Sequence, residues 1–129
     1  MKSIKLIAAA LLLEASPAFA ANWVYVTTDT DGTVYYYDAD TVQRSGNQVT
    51  VWEKWDHSRD KTIKERERKR QYQYDCAEST STLLHSIIYY PDGTVRSVAY
   101  KAYEQEADPI VPDTTGAVGF EAVCAATTP

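Results

Sequence analysis

The sequence predicts an α+β protein: an antiparallel sheet with one C-terminal helix packed on a face and held there by a disulfide. Three observations predict it. Two pairs of β-rich segments are joined by Asp-Gly turns, at Asp31-Gly32 and Asp92-Gly93. A helical spacing of apolar residues follows Pro112 near the C-terminus. The only two cysteines, Cys76 and Cys124, fall at the end of a β-rich segment and inside that helical stretch.

The first twenty residues read as a secretory signal peptide. Lys2 and Lys5 supply a positive start, Leu6 to Leu13 an apolar run, and Ala18-Phe19-Ala20 a cleavage site of the A-x-A type. The run is too short for a membrane span, which needs about 20 apolar residues. An uncleaved anchor is the alternative. No cysteine stands at the cleavage site, so a lipoprotein anchor is not expected. No second apolar run follows, so no stable membrane insertion is expected after cleavage. The expected localisation is therefore exported, either periplasmic or at the cell surface.

Of 129 residues, removal of 1–20 leaves 21–129, a length suited to one domain. Losing Lys2, Lys5 and Glu14 from 13 basic and 18 acidic residues leaves 11 against 17, a net charge of −6. Such an acidic chain argues against general nucleic-acid binding. In an exported chain, two cysteines point to one disulfide. Two free thiols or a bridge between molecules are the alternatives. A closed loop of 48 residues is worth about 4 kcal/mol in the chain-entropy account.

Strand expectations follow in order. Asn22 to Thr28 and Val34 to Tyr37 form the first hairpin. Asp38 to Thr41 is a capped turn after which Val42 returns to the core. Ser45-Gly46-Asn47 is a break, and Gln48 to Trp55 is rich in Val, Thr and Trp. Thr80 to Tyr90 and Val95 to Tyr103 form the second hairpin around Pro91-Asp92-Gly93. Pro109 and Pro112 mark a linker. Asp113 or Thr114 can cap a helix, in which Phe120 and Cys124 share a face as an i,i+4 pair. Gly116 and Gly119 each weaken that helix by about 1 kcal/mol relative to alanine, so it needs a tertiary anchor.

The most distinctive stretch is KTIKERERKRQYQYDC, Lys61 to Cys76, with six basic residues between Lys61 and Arg70. As a helix it offers the opposite-charge pairs Lys61/Glu65 and Glu65/Lys69. As a strand it sorts charge by face. Cys76, Tyr74 and Tyr72 share one face with Arg70, Arg68, Arg66 and Lys64, while Glu67, Glu65 and Lys69 take the other. The first face would be a cationic ladder beside an aromatic floor, suited to a protein or an anionic polymer. A solvated edge strand, charged to block edge-to-edge pairing, is the alternative.

Motifs for catalysis are missing. There is no C-x-x-C, G-x-S-x-G, P-loop or G-x-G-x-x-G. His57 and His85 have no neighbours at metal-ligand spacing, so neither a metal site nor a cofactor is expected. The expectation is a protein that is not an enzyme. Ten tyrosines and three tryptophans suit both a small β core and an aromatic interaction surface.

Four pieces, in order, resemble the surface-adhesin E-like family of small exported bacterial proteins. They are VYYYDADTV (Val34 to Val42), QVTVWEKW (Gln48 to Trp55), RQYQYDCA (Arg70 to Ala77), and VPDTT (Val111 to Thr115) followed by FEAVC. The resemblance implies about six antiparallel strands, with the C-terminal helix fastened to one face by the disulfide. It also implies a surface adhesin that binds host matrix proteins such as vitronectin and laminin and associates as a homodimer. The basic stretch before the first cysteine is implied in those contacts; the matching residues are Lys61, Lys64, Arg66, Arg68 and Arg70, with Tyr72 beside them. The functional expectation is an exported, non-catalytic binding module for a host matrix protein or an anionic cell-envelope partner. The alternative is a periplasmic inhibitor of a cell-wall hydrolase or another envelope accessory protein.

Overall fold

The computed structural model describes residues 21–127; the expected signal peptide lies outside the described residues. In chain order the strands are β1 (Trp23–Thr28), β2 (Val34–Asp38), β3 (Gln43–Ser45), β4 (Gln48–Asp56), β5 (Glu67–Asp75), β6 (Thr80–Tyr89), β7 (Val95–Ala99) and β8 (Ala107–Pro109). A short 3-10 turn, Ala102–Glu104, precedes β8, and helix α1 (Thr115–Ala126) closes the chain. The sheet order is β1-β2-β4-β5-β6-β7, with every neighbouring pair antiparallel.

Six strands make the main path and two three-residue strands complete it. β2 pairs with only the Glu53–Asp56 end of β4, and β3 pairs with Gln48 to Thr50 at the other end. β7 pairs with the His85–Tyr89 end of β6, and β8 pairs with Thr80 to Thr82. Both expected hairpins form. Their turns need left-handed backbone, supplied by Gly32 at φ 102° and Gly93 at φ 88°. Asp29 Oδ1 accepts hydrogen bonds from the N–H groups of Asp31, Gly32 and Thr33, each at 3.0 Å, which fixes the first turn.

Several expectations need correction. The second hairpin strand ends at Ala99 rather than Tyr103. There the chain bends into the 3-10 turn, and Gln105 Nε2 donates to the Tyr100 carbonyl at 3.0 Å. Pro109 is not in a linker: it pairs with Thr80 on the short edge strand β8, where a missing N–H is tolerated. The expected break at Ser45-Gly46-Asn47 is a turn of Gly46 and Asn47 only, because Ser45 ends strand β3 (Gln43–Ser45), which pairs with β4. The charged run is neither a helix nor an edge strand. Its second half, from Glu67, is β5, paired on both sides by β4 and β6. Its first half is a loop.

α1 lies over β1, β2 and β4 on one face of the sheet. Val49, Val51 and Tyr74 from the sheet meet Ala117, Phe120 and Val123 from the helix, all buried. Tyr74 meets Phe120 edge-on at 5.4 Å between ring centroids. The Thr114 hydroxyl caps the helix by accepting from the Ala117 N–H at 3.2 Å. At the other end Arg44 of β3 donates to the Cys124 carbonyl at 3.3 Å, so a cation meets the negative end of the helix. The Cys76–Cys124 disulfide, with Cα atoms 5.9 Å apart, joins the end of β5 to the last turns of α1.

The apolar seat of α1 is narrow, so single truncations should be costly where Phe120 enters it. Phe120→Ala should lose about 3–5 kcal/mol in denaturant unfolding. Val118→Ala, on the exposed helix face, should change stability by less than about 0.5 kcal/mol.

Candidate functional site

The basic residues divide into two groups with different surroundings. Arg68, Arg70 and Tyr72 sit on β5 with alternating parity, and their register partners on β4 are Trp55, Glu53 and Val51. Val51 is buried against the helix, so this is the helix-covered face, as the strand reading expects. Both arginines are absorbed by the sheet. Arg68 forms an ion pair with Glu65 at 3.3 Å. The Arg70 guanidinium lies 4.3 Å from the centroid of the Trp55 ring, and its Nη1 donates to the Tyr72 hydroxyl at 3.2 Å. Tyr72 stacks on Tyr74 at 5.7 Å. Burial raises the pKa of the Tyr72 phenol, with the Arg70 charge opposing.

Lys61, Lys64 and Arg66 do not continue that ladder. They stand in the loop of residues 57–66 between β4 and β5, are exposed, and make no ion pair among the described residues. Together with His57, Ile63 and Pro91 they line a cavity of about 460 Å³. That volume is in the range of small-ligand sites.

The loop is held by the neighbouring strand ends and by the β1–β2 turn. The His57 N–H donates to the Arg66 carbonyl, and the Arg66 N–H donates to the Tyr89 carbonyl, both at 2.9 Å. Thr33 Oγ1 donates to Asp60 Oδ2 at 2.6 Å and lies 2.9 Å from His57 Nδ1. A hydroxyl has one proton, so Thr33 must accept from His57, and Nδ1 carries the ring proton. Asp60 Oδ1 accepts from both the N–H and the hydroxyl of Thr62. Hydrogen bonds from Thr33 and then Thr62 hold the Asp60 carboxyl below its ordinary pKa. Burial, followed by the Arg68 charge, lowers the pKa of His57, so the ring is neutral at physiological pH. The β1–β2 turn that carries Thr33 also presses in at Gly32. A Cβ on Gly32 would lie 3.1 Å from the Arg59 carbonyl oxygen, at a backbone angle that already favours glycine.

A second polar cluster lies beneath the helix. Glu53 is 8% exposed, and its Oε2 accepts a short hydrogen bond from the Tyr74 hydroxyl. Burial raises the Glu53 pKa to about 7, against the opposing pull of the Tyr74 hydroxyl, the Trp55 indole and the Arg70 charge. Burial likewise raises Tyr74, reinforced by the Glu53 charge. Gly119 of α1 passes directly above: a Cβ there would lie 3.8 Å from Glu53 Oε1 and 3.9 Å from the Tyr74 hydroxyl. The alternation of QVTVWEKW puts Glu53 on the same face as Val49 and Val51, which is the signal that could have marked it as buried.

On the opposite face of the sheet, lysines are interleaved with rings. Lys54 Nζ lies 4.9 Å from the Trp23 centroid and 4.7 Å from that of Tyr36, and Lys69 Nζ lies 4.9 Å from that of Tyr89. The aromatic load therefore serves both faces: Tyr74 and Phe120 in the core, Trp23, Tyr36 and Tyr89 outside it.

A sheet with six strands in its main path, carrying a terminal helix fastened by a disulfide from the strand before Cys76, coincides with a known pattern. The profile of the surface-adhesin protein E family matches residues 23–125. The chain belongs to the surface-adhesin protein E family. Its fold is similar to three solved structures of Haemophilus influenzae protein E. Crystal form II shares 15% identity over 83% of this chain and 90% of that one, with a TM-score of 0.59. A second shares 15% identity over 83% and 86%, with a TM-score of 0.56. A selenomethionine form shares 16% identity over 82% and 92%, with a TM-score of 0.54. No curated protein matches the chain significantly. No described helix is long and apolar enough to cross a membrane.

In this adhesin-family fold Glu53 gives a pH signature. Its folded pKa of about 7 is above the unfolded value of 4.5, so its contribution is fully present below pH 4.5 and is lost as pH rises through 7. By pH 8 the loss is on the order of 3 kcal/mol. Glu53→Gln keeps an acceptor for Tyr74 and cannot ionise. Its Tm relative to wild type should therefore rise steadily between pH 5 and 8 in thermal melts. A constant difference across that range would contradict the burial of an ionisable Glu53.

Proposed function

We propose that this chain is an exported, non-catalytic binding module of the adhesin type, which engages an anionic partner through Lys61, Lys64 and Arg66. The carrying observation is the contrast between the two basic groups. Arg68 and Arg70 spend their charge on Glu65, Trp55 and Tyr72 inside the fold. The three loop cations are exposed, unpaired among the described residues, and gathered around a cavity on a braced loop. In a chain of net negative charge, such a local patch steers acidic partners without attracting polyanions over the whole surface.

Family membership supports the adhesin reading, with an acidic segment of a host matrix protein or an anionic envelope polymer as partner. Residues 1–20 act as the leader in this proposal, and the mature chain from Ala21 works in the periplasm or at the cell surface without a lipid anchor. Association as a homodimer belongs to the same reading.

The test compares two variants. Lys61→Ala/Lys64→Ala/Arg66→Ala should weaken binding to vitronectin, laminin or envelope polymers by at least about tenfold at low ionic strength, with unchanged melting. Arg68→Ala/Arg70→Ala should chiefly lower stability, because it strips packing from Trp55 and Tyr72. Unchanged binding by the loop triple variant to every such probe would overturn the reading.

A further inference from the structure

The loop's free groups restrict what its cavity can hold. The main-chain N–H groups of His57, Ser58, Asp60, Thr62 and Arg66 already donate to Arg66 O, Asp56 Oδ1, His57 O, Asp60 Oδ1 and Tyr89 O. A peptide partner that docks by main-chain pairing, as in strand addition, would find these donors taken. The acidic residues of the loop are also spent. Glu65 faces Arg68 at 3.3 Å, and Asp60 is filled by Thr33 and Thr62. His57 and Ser58 also stand in the wall, and the cations available for recognition are Lys61, Lys64 and Arg66, beside an apolar ledge from Ile63 and Pro91.

Three cations exceed what one carboxylate, with two oxygens, can use. A phosphate or sulfate monoester presents three terminal oxygens, which match a guanidinium fork and two ammonium groups. A cavity of about 460 Å³ is also much larger than a bare oxyanion, so it leaves room for the unit that carries the ester. The ledge of Ile63 and Pro91 suits the C–H face of a pyranose ring. Resting on the anion-binding reading above, and deepening it, we propose that this cavity binds a tetrahedral oxyanion ester, phosphate or sulfate, on a sugar unit of a polysaccharide.

Preorganisation supports selectivity for geometry and not only for charge. Thr33, Asp60 and Gly32 brace the loop, so the cationic heads project from a fixed frame. Arg66 supplies the planar fork, which lysine cannot reproduce.

The experiment is an amide-resolved NMR titration of the mature chain with glucose 6-phosphate, glucose 6-sulfate, glucuronate and tetraglutamate. Both esters should shift amides within 57–66, the phosphate and sulfate arms showing which source is favoured. Glucuronate, with the same kind of ring and a carboxylate, should bind about tenfold more weakly. Arg66→Lys, which keeps the charge but loses the planar fork, should weaken ester binding about fivefold. Equal binding of glucuronate, or stronger binding of tetraglutamate, would overturn the ester assignment and leave the anion-binding reading standing. No loop shift with any of the four probes would overturn both.

Discussion

The bond between Cys76 and Cys124 is the constraint on which the rest of the molecule depends. Among the described residues one α-helix covers the sheet, twelve residues long and containing Gly116 and Gly119. A helix of that length and composition is marginal alone. Its buried contacts are few: Ala117, Phe120 and Val123 against Val49, Val51 and Tyr74. Thr114 and Arg44 satisfy its ends, but neither limits how far the helix can separate from the sheet. The disulfide does, by closing a 48-residue loop that runs from the end of β5 through β6, β7 and β8.

The buried polar groups beneath the helix give this seat a chemical character. Glu53 and Tyr74 satisfy one another, and Gly119 lets the helix backbone pass close above them. A protonated Glu53 suits that site; an ionised one must be tolerated without direct ion pairing, with the Tyr74 hydroxyl as its main compensation and the Arg70 charge as a lesser one. The fold thus couples a basic residue of β5 to the helix seat, and this is why Arg70 serves the scaffold and not the surface. The same division separates it from Lys61, Lys64 and Arg66, which no acidic group among the described residues engages within 4.0 Å.

Much of this was legible in the sequence, for physical reasons tied to particular residues. Asp31-Gly32 and Asp92-Gly93 marked turns because they need positive φ, and the chain supplies it at Gly32 and Gly93. Thr114 announced the helix start through its cap, and the export context of Cys76 and Cys124 announced their pairing. The parity of Arg68, Arg70, Tyr72 and Tyr74 was also legible, since the β4–β5 register has no bulge. The loop was not. KTIKER continues the polar alternation of β5, and nothing local reveals that Thr33, from another hairpin, pulls Asp60 and His57 out of the strand line. β3 and β8 were equally hidden, because three residues are too few to show a period, and each exists only where a longer neighbour leaves a strand end unpaired.

Two separate anchors therefore account for the architecture: a covalent one for the helix, and a hydrogen-bonded one for the loop that carries the free cations. Hydrogen exchange followed before and after selective reduction of the disulfide tests this most directly. Amides of 115–126 should exchange much faster on reduction, while those of 57–66 should keep their protection, because Thr33, Asp60 and Tyr89 hold them independently. Unchanged protection in the helix, or a loss of protection in the loop equal to that of the helix, would contradict the account.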